Sequence, residues 1–158
     1  MEYRGFDDIL SSPFIFTERP SAVPGDMRLS WRISICLLIL NSSRSSKASL
    51  QKLLFLGHAI RTPQNRMNAA KALSGLSQYF AFIFRVEPTI SRALDFARGS
   101  GLIRQIDGKS FQLTSDGIAA VKQISVDPEL FRNEKAFLEE VRNLATEKRI
   151  MQILSMEG

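Results

Sequence analysis

The chain is poor in the residues that most catalytic chemistry uses. Its 158 residues include one cysteine, Cys36, and one histidine, His58. A single thiol closes no intramolecular disulfide, and without a Cys/His cluster no zinc site can be built. This points to a reducing compartment, and the expected location is cytoplasmic. Long apolar runs are missing too. The longest, Ile35 to Leu40, is far short of the about 20 residues that cross a bilayer, so no membrane segment is expected. Met1 to Leu10 carries acidic residues where a secretory leader has a basic start and an apolar stretch.

Catalytic constellations are equally scarce. His58 sits between apolar residues, with no evident nucleophile or orienting group to complete a triad. It reads as a packed or surface histidine. Gly99-Ser100-Gly101 follows a helical pattern and precedes a strand, the reverse of a phosphate-binding strand–loop–helix order. A helix C-cap explains it. Asp7–Asp8 and Glu139–Glu140 are sequence neighbours, and neighbours do not share a helix face. The basic middle of the chain holds too few acids to converge on a cation for phosphodiester cleavage. The expectation is a protein that is not an enzyme, with no cofactor and no metal.

Positive charge is abundant and unevenly placed. Residues 1–27 hold two basic and five acidic residues. Residues 28–127 hold fourteen basic and five acidic, and residues 128–158 hold five and six. A basic middle with acidic flanks suits an anionic partner. A solvated basic surface fits the same distribution.

Residues 1–27 read as an extended arm punctuated by Ser11-Ser12-Pro13, Arg19-Pro20 and Val23-Pro24-Gly25-Asp26. Arg28 to Leu40 reads as a first helix, apolar on nearly every side. Such a helix is either central or covered by a partner. Asn41 to Ser46 is a polar linker. Lys47 to Arg61 reads as a second helix with Leu50, Leu53, Leu54, Gly57 and Ile60 inward. Thr62 and Pro63 suit the N-cap and first turn of a third helix running to about Leu76. On that helix Met67, Ala70, Leu73 and Leu76 are expected inward. Tyr79 to Val86 has strand composition.

Pro88 opens a fourth helix with Ile90, Ala93, Leu94 and Ala97 inward. Leu102 to Ile106 and Ser110 to Leu113 flank the tight-turn pair Asp107-Gly108. Thr114 then caps a fifth helix, Ile118 to about Ile124. Asp127-Pro128 ends it. A long last helix is expected from about Glu129 toward Met156, with Phe131, Phe137, Leu138, Val141, Leu144 and Ala145 on one side, free to project from the core.

Helix, short hairpin, then a helix opened by Leu-Thr-x-x-Gly is the usual end of a winged-helix unit, with Lys109 at the wing tip. The expected fold is therefore mainly α. A winged helix-turn-helix core occupies 28–127, with a short β-hairpin wing. An extended N-terminal arm (1–27) precedes it and a long C-terminal helix (128–158) follows. Arg85, Arg92, Arg98, Arg104 and Lys109 fall near the fourth helix and the wing, where side chains of such domains meet phosphates. That contact would be sequence-independent, because the fourth helix offers few base readers and Asp95 repels phosphate. The same surface could instead bind protein. The first helix and the Phe-rich run Tyr79 to Phe84 are apolar surface in excess of one small core. Either they bury one another or part of them seats against a partner. Phe14, Phe16, Tyr79, Phe80, Phe82, Phe84 and Phe137 are the residues expected to meet a partner.

Five segments carry a family resemblance. They are Leu29-Ser30-Trp31-Arg32-Ile33, Lys47-Ala48-Ser49-Leu50-Gln51-Lys52-Leu53, the run Glu87 to Ala97 (Glu-Pro-Thr-Ile-Ser-Arg-Ala-Leu-Asp-Phe-Ala), Gly101-Leu102-Ile103 and Leu113-Thr114-Ser115-Asp116-Gly117. Over roughly residues 28–127 the chain resembles the middle component of bacterial ABC-three-component systems, a group that includes the small subunit of Lamassu-type anti-phage defence. The resemblance implies a non-enzymatic accessory subunit. It would bridge an SMC-like (structural-maintenance-of-chromosomes-like) DNA-sensing ATPase and an effector, commonly a nuclease. ATP and metal would belong to those partners. A homodimeric winged-helix transcription regulator is the alternative, with the last helix supplying the dimer contact.

Overall fold

The computed structural model describes residues 28–75 and 88–155. The N-terminal arm, the expected strand Tyr79–Val86 and Arg85 lie outside the described residues. Within them the chain is mainly helical, with seven α-helices and a small three-stranded antiparallel sheet.

Helix α1 (Leu29–Ser42) is the axis of the molecule. Its apolar residues fall on every side, and Ile35 through Leu40 are all buried. Later helices and the sheet pack around it. Most of its apolar surface is covered from within the chain, as for a central helix, while Leu29, Trp31 and Ile33 at its start are only partly buried. Ser43 Oγ donates to the Ile39 carbonyl, 2.8 Å away, and closes the last turn. A 3₁₀ turn (Arg44–Ser46) follows, with Ser45 and Ser46 both in the left-handed region.

That turn delivers strand β1 (Lys47–Ser49), where a helical start was expected. β1 pairs with β3 (Ser110–Leu113), which pairs with β2 (Ile103–Ile106), giving the order β1-β3-β2. Lys47 stands opposite Gln112, and Gln112 opposite Arg104. Because side chains alternate across a sheet, Ala48, Phe111, Ile103 and Leu113 form the buried inner face. Lys47, Gln112 and Arg104 make a row across the outer one. Asp107 and Gly108 turn the hairpin, both with positive φ, as an Asp-Gly pair favours.

Helix α2 (Leu50–Ala59) is capped by Ser49, whose Oγ accepts from the Lys52 N–H. Helix α3 (Pro63–Leu73) is capped by Thr62, as expected. Its inward face differs from the expected one. Ala69, Ala72 and Leu73 are buried, and Met67 is 46 % exposed. Small alanines let α3 approach its neighbours closely and turn the larger Met67 outward. Helix α4 (Pro88–Gly99) buries Ile90, Ala93, Leu94 and Ala97, the stripe its spacing predicts. Helix α5 (Ser115–Val126) starts at the Thr114 cap.

The expected long C-terminal helix is two shorter ones, α6 (Arg132–Val141) and α7 (Glu147–Ser155). They fold back on the core and bury Phe137, Leu138, Val141, Ala145, Ile150 and Ile153. Burial of these side chains stabilises more than an extended, solvated helix would. Three polar clamps fix them. Lys135 Nζ donates to the carbonyls of Ile124 (2.9 Å) and Asp127 (3.0 Å). Arg149 donates to the Ala72 carbonyl at the end of α3, 2.9 Å. Glu147 holds Ser49. Among the described residues no helix is long and apolar enough to cross a membrane.

Candidate nucleic-acid interface

The fold divides the expected phosphate-contacting residues between two faces. Arg104 lies on the outer face of the sheet, where its Nε and an Nη donate to Gln112 Oε1, 3.1 and 2.6 Å. Gln112 in turn donates to the Ser45 carbonyl, 3.0 Å. This chain of bonds crosses the sheet beside exposed Lys47 and holds Arg104 flat. Arg98, at the end of α4, donates to Gln105 Oε1, 2.9 Å, on the opposite side of β2, and pairs with Asp95 at 3.8 Å. Arg92 is exposed further back on α4. Lys109 is exposed at the hairpin tip, and its carbonyl accepts from the Leu50 N–H at the start of α2, 3.3 Å. The hairpin is thereby tied to α2.

Of the residues expected to meet a partner, Phe137 is 3 % exposed and belongs to the chain's own core. Phe14, Phe16, Tyr79, Phe80, Phe82 and Phe84 lie outside the described residues.

A second basic feature is absent from the sequence reading. A cleft of ≈ 820 Å³ opens between the 3₁₀ turn, β1, the hairpin tip and the junction of α6 with α7. Arg44, Lys47, Lys52, Lys109, Arg142 and Lys148 line it, against one carboxylate, Glu147. Glu147 accepts two hydrogen bonds from Ser49. One oxygen accepts from the Ser49 N–H, 2.9 Å, and the other from Ser49 Oγ, 2.6 Å. Lys52 is 7 % exposed. Burial pushes its ammonium below the ordinary lysine range, and the nearby Glu147 charge offsets part of that. The outer sheet face and the cleft share Lys47, so the two form one continuous basic surface.

A shallower groove of ≈ 550 Å³ runs between α3 and α6, lined in part by Arg66, Met67, Lys71 and Glu140. Its charges are mixed and converge on no point.

No family model, curated protein or solved structure matches the chain. The chemistry of the surface therefore carries the functional reading.

Two remaining groups bear on chemistry. Among the described residues no three His, Cys, Asp or Glu side chains are placed to hold a metal ion. Cys36 lies fully buried in α1, and burial pushes its thiol up to about 12, with Arg32 pulling slightly the other way. The thiolate is the reactive form, so Cys36 is inert near neutral pH. Iodoacetamide should leave it unmodified in the native protein and alkylate it fully in guanidinium, as read by intact mass. Native labelling at the denatured rate would contradict the burial.

Proposed function

We propose that the chain is a non-catalytic accessory subunit with a winged-helix core that meets nucleic-acid backbone without reading sequence. The observation that carries this reading is the basic outer row of the sheet, Lys47 and Arg104 flanking Gln112, with Lys109 at the hairpin tip. The element order supports the winged-helix assignment. A first helix, a short strand, further helices and then a hairpin close one sheet in the order β1-β3-β2. In that arrangement α4 is the helix before the wing. Its exposed residues Arg92 and Arg98 give charge, and Asp95 opposes tight approach. Positioning on phosphates without base readout is the contact this chemistry suits.

The family resemblance implies that such a subunit works in a bacterial anti-phage defence complex, between an SMC-like ATPase and an effector nuclease. Co-expression with the proteins encoded beside it should give co-elution with a coiled-coil ATPase on gel filtration. Elution of the chain alone would remove that part of the proposal. The regulator alternative is disfavoured, because α6 and α7 turn inward and among the described residues no long C-terminal helix is left to build a dimer.

The nucleic-acid contact has its own test. Duplex DNA of any sequence should bind with an affinity that falls as salt rises. Arg92→Glu together with Arg104→Glu should weaken binding at low salt. The slope of log K against log salt should fall by about two, one for each phosphate left without its arginine. Both side chains are exposed, so the variant should fold. An unchanged slope would assign the face to protein binding.

A further inference from the structure

The cleft beside the sheet presents a problem of charge that the chain does not solve alone. Its cations come from segments far apart in sequence, and the fold gathers them around one concavity. Like charges brought together repel, and a cleft with low-dielectric walls concentrates their field on whatever enters. Lys52 adds to this, because burial of its side chain disfavours the charged ammonium, the Glu147 charge offsets only part of that, and a further negative charge in the cleft would favour it. Glu147 is the one carboxylate lining the cleft, a single negative charge facing six cations. Arg142 pairs with Glu139 at 3.7 Å, an exposed and weak contact that leaves its charge available.

We infer that the cleft is a binding site for a terminal phosphate group, carried by a free nucleotide or by the end of a nucleic-acid strand. A terminal phosphate brings two negative charges and three acceptor oxygens to one point, matching several cations around one cavity. The links of a continuous backbone carry one charge each and suit an open track such as the outer sheet face. Arginine adds a planar two-pronged donor for phosphate, and lysines act as point charges. The volume falls within the range of sites for small ligands. No aromatic residue lines the cleft, so no base is stacked there and base identity should not matter. Lys47 and Lys109 line both the cleft and the outer face, whereas Lys52, Arg142 and Lys148 belong to the cleft alone and the Arg92 and Arg104 of the duplex test lie outside it. Either proposal can therefore fail alone.

The full chain would be titrated at fixed ionic strength without divalent metal. The probes are ADP, and a short single-stranded oligonucleotide with either a 5′-phosphate or a 5′-hydroxyl. If strand ends are the source, the phosphorylated oligonucleotide should bind at least tenfold more tightly than its hydroxyl twin. If free nucleotides are the source, ADP should raise the melting temperature saturably, and GDP should do so equally. In either case Lys52→Met should abolish the effect while its own melting temperature stays the same or rises, because a buried charge has been removed. Should Lys52→Met fail to fold, the exposed pair Arg142→Glu and Lys148→Glu provides the same readout with the core untouched. Equal binding of the two oligonucleotides with no saturable ADP shift would overturn the proposal. So would an effect that survives these variants.

Discussion

Ending the chain after Asp127 is expected to leave a polypeptide that no longer unfolds cooperatively. The residues removed include Phe137, Leu138, Val141, Ile150 and Ile153, all buried. Each large apolar side chain contributes about 1.5–3 kcal/mol on full burial, while a whole domain is stable by only about 5–15 kcal/mol. Part of that gain is offset by the entropy of ordering α6 and α7 themselves. The faces they leave behind on α1, α2 and α3 are not offset, because those helices keep their own ordering cost and lose their cover. Polar ties go too. The Ala72 carbonyl loses Arg149, Ser49 loses Glu147, and the carbonyls of Ile124 and Asp127 lose Lys135. Urea unfolding followed by circular dichroism should show a broad, shallow transition for the shortened chain and a steep one for the full chain. A shortened chain with an unchanged midpoint would mean that α6 and α7 are an appendage after all.

The same helices show where sequence reading stops. Their apolar positions were legible, since Phe137, Leu138, Val141 and Ala145 keep a helical period. The break after Val141 was not, because polar Arg142 and Asn143 continue the pattern without a proline or glycine. One signal was present: Thr146 followed by Glu147, a cap and an acidic first turn. Strand β1 was missed for a different reason. It is three residues long, and its partner β3 lies more than sixty residues on, so no local period announces it. Helix α4 was read almost residue by residue, since its buried stripe and exposed charges alternate cleanly. The hairpin was also legible, because an Asp-Gly turn is a local property. The cleft could not be read. Arg44 looked like linker, Lys52 like the polar side of a helix, and Arg142 and Lys148 like a solvated face. Only the pairing of β1 with β3 and the return of α6 and α7 bring them together.

Gly117→Ala is expected to be the most damaging single methyl addition, and helix propensity predicts the opposite sign. Alanine in place of glycine within a helix stabilises by up to about 1 kcal/mol. At this position, however, a Cβ would stand 2.0 Å from the Leu102 carbonyl oxygen and 3.1 Å from a Leu113 methyl. A backbone oxygen cannot rotate aside as a side chain can. The Leu102 oxygen also accepts from the Thr114 N–H, 3.1 Å, and Thr114 Oγ1 donates to the Gly101 carbonyl. One short network therefore seats the first turn of α5 against the start of β2. Relieving the clash must part the two. Overpacking of this kind costs about 1–3 kcal/mol, and more where backbone must move, so packing outweighs propensity. A loss of about 3 kcal/mol corresponds to about 6–12 °C in melting temperature for a chain of this size. Gly99→Ala is the matched control. An added Cβ there meets nothing within 4 Å, so calorimetry should find it neutral or slightly stabilised. The hairpin leaves β2 at its other end, so a displaced β2 also carries Arg104 and Lys109 out of register with Lys47. Duplex binding should therefore weaken in Gly117→Ala even below its melting temperature and remain intact in Gly99→Ala. Equal stability of the two variants would show that α5 does not hold the hairpin in place.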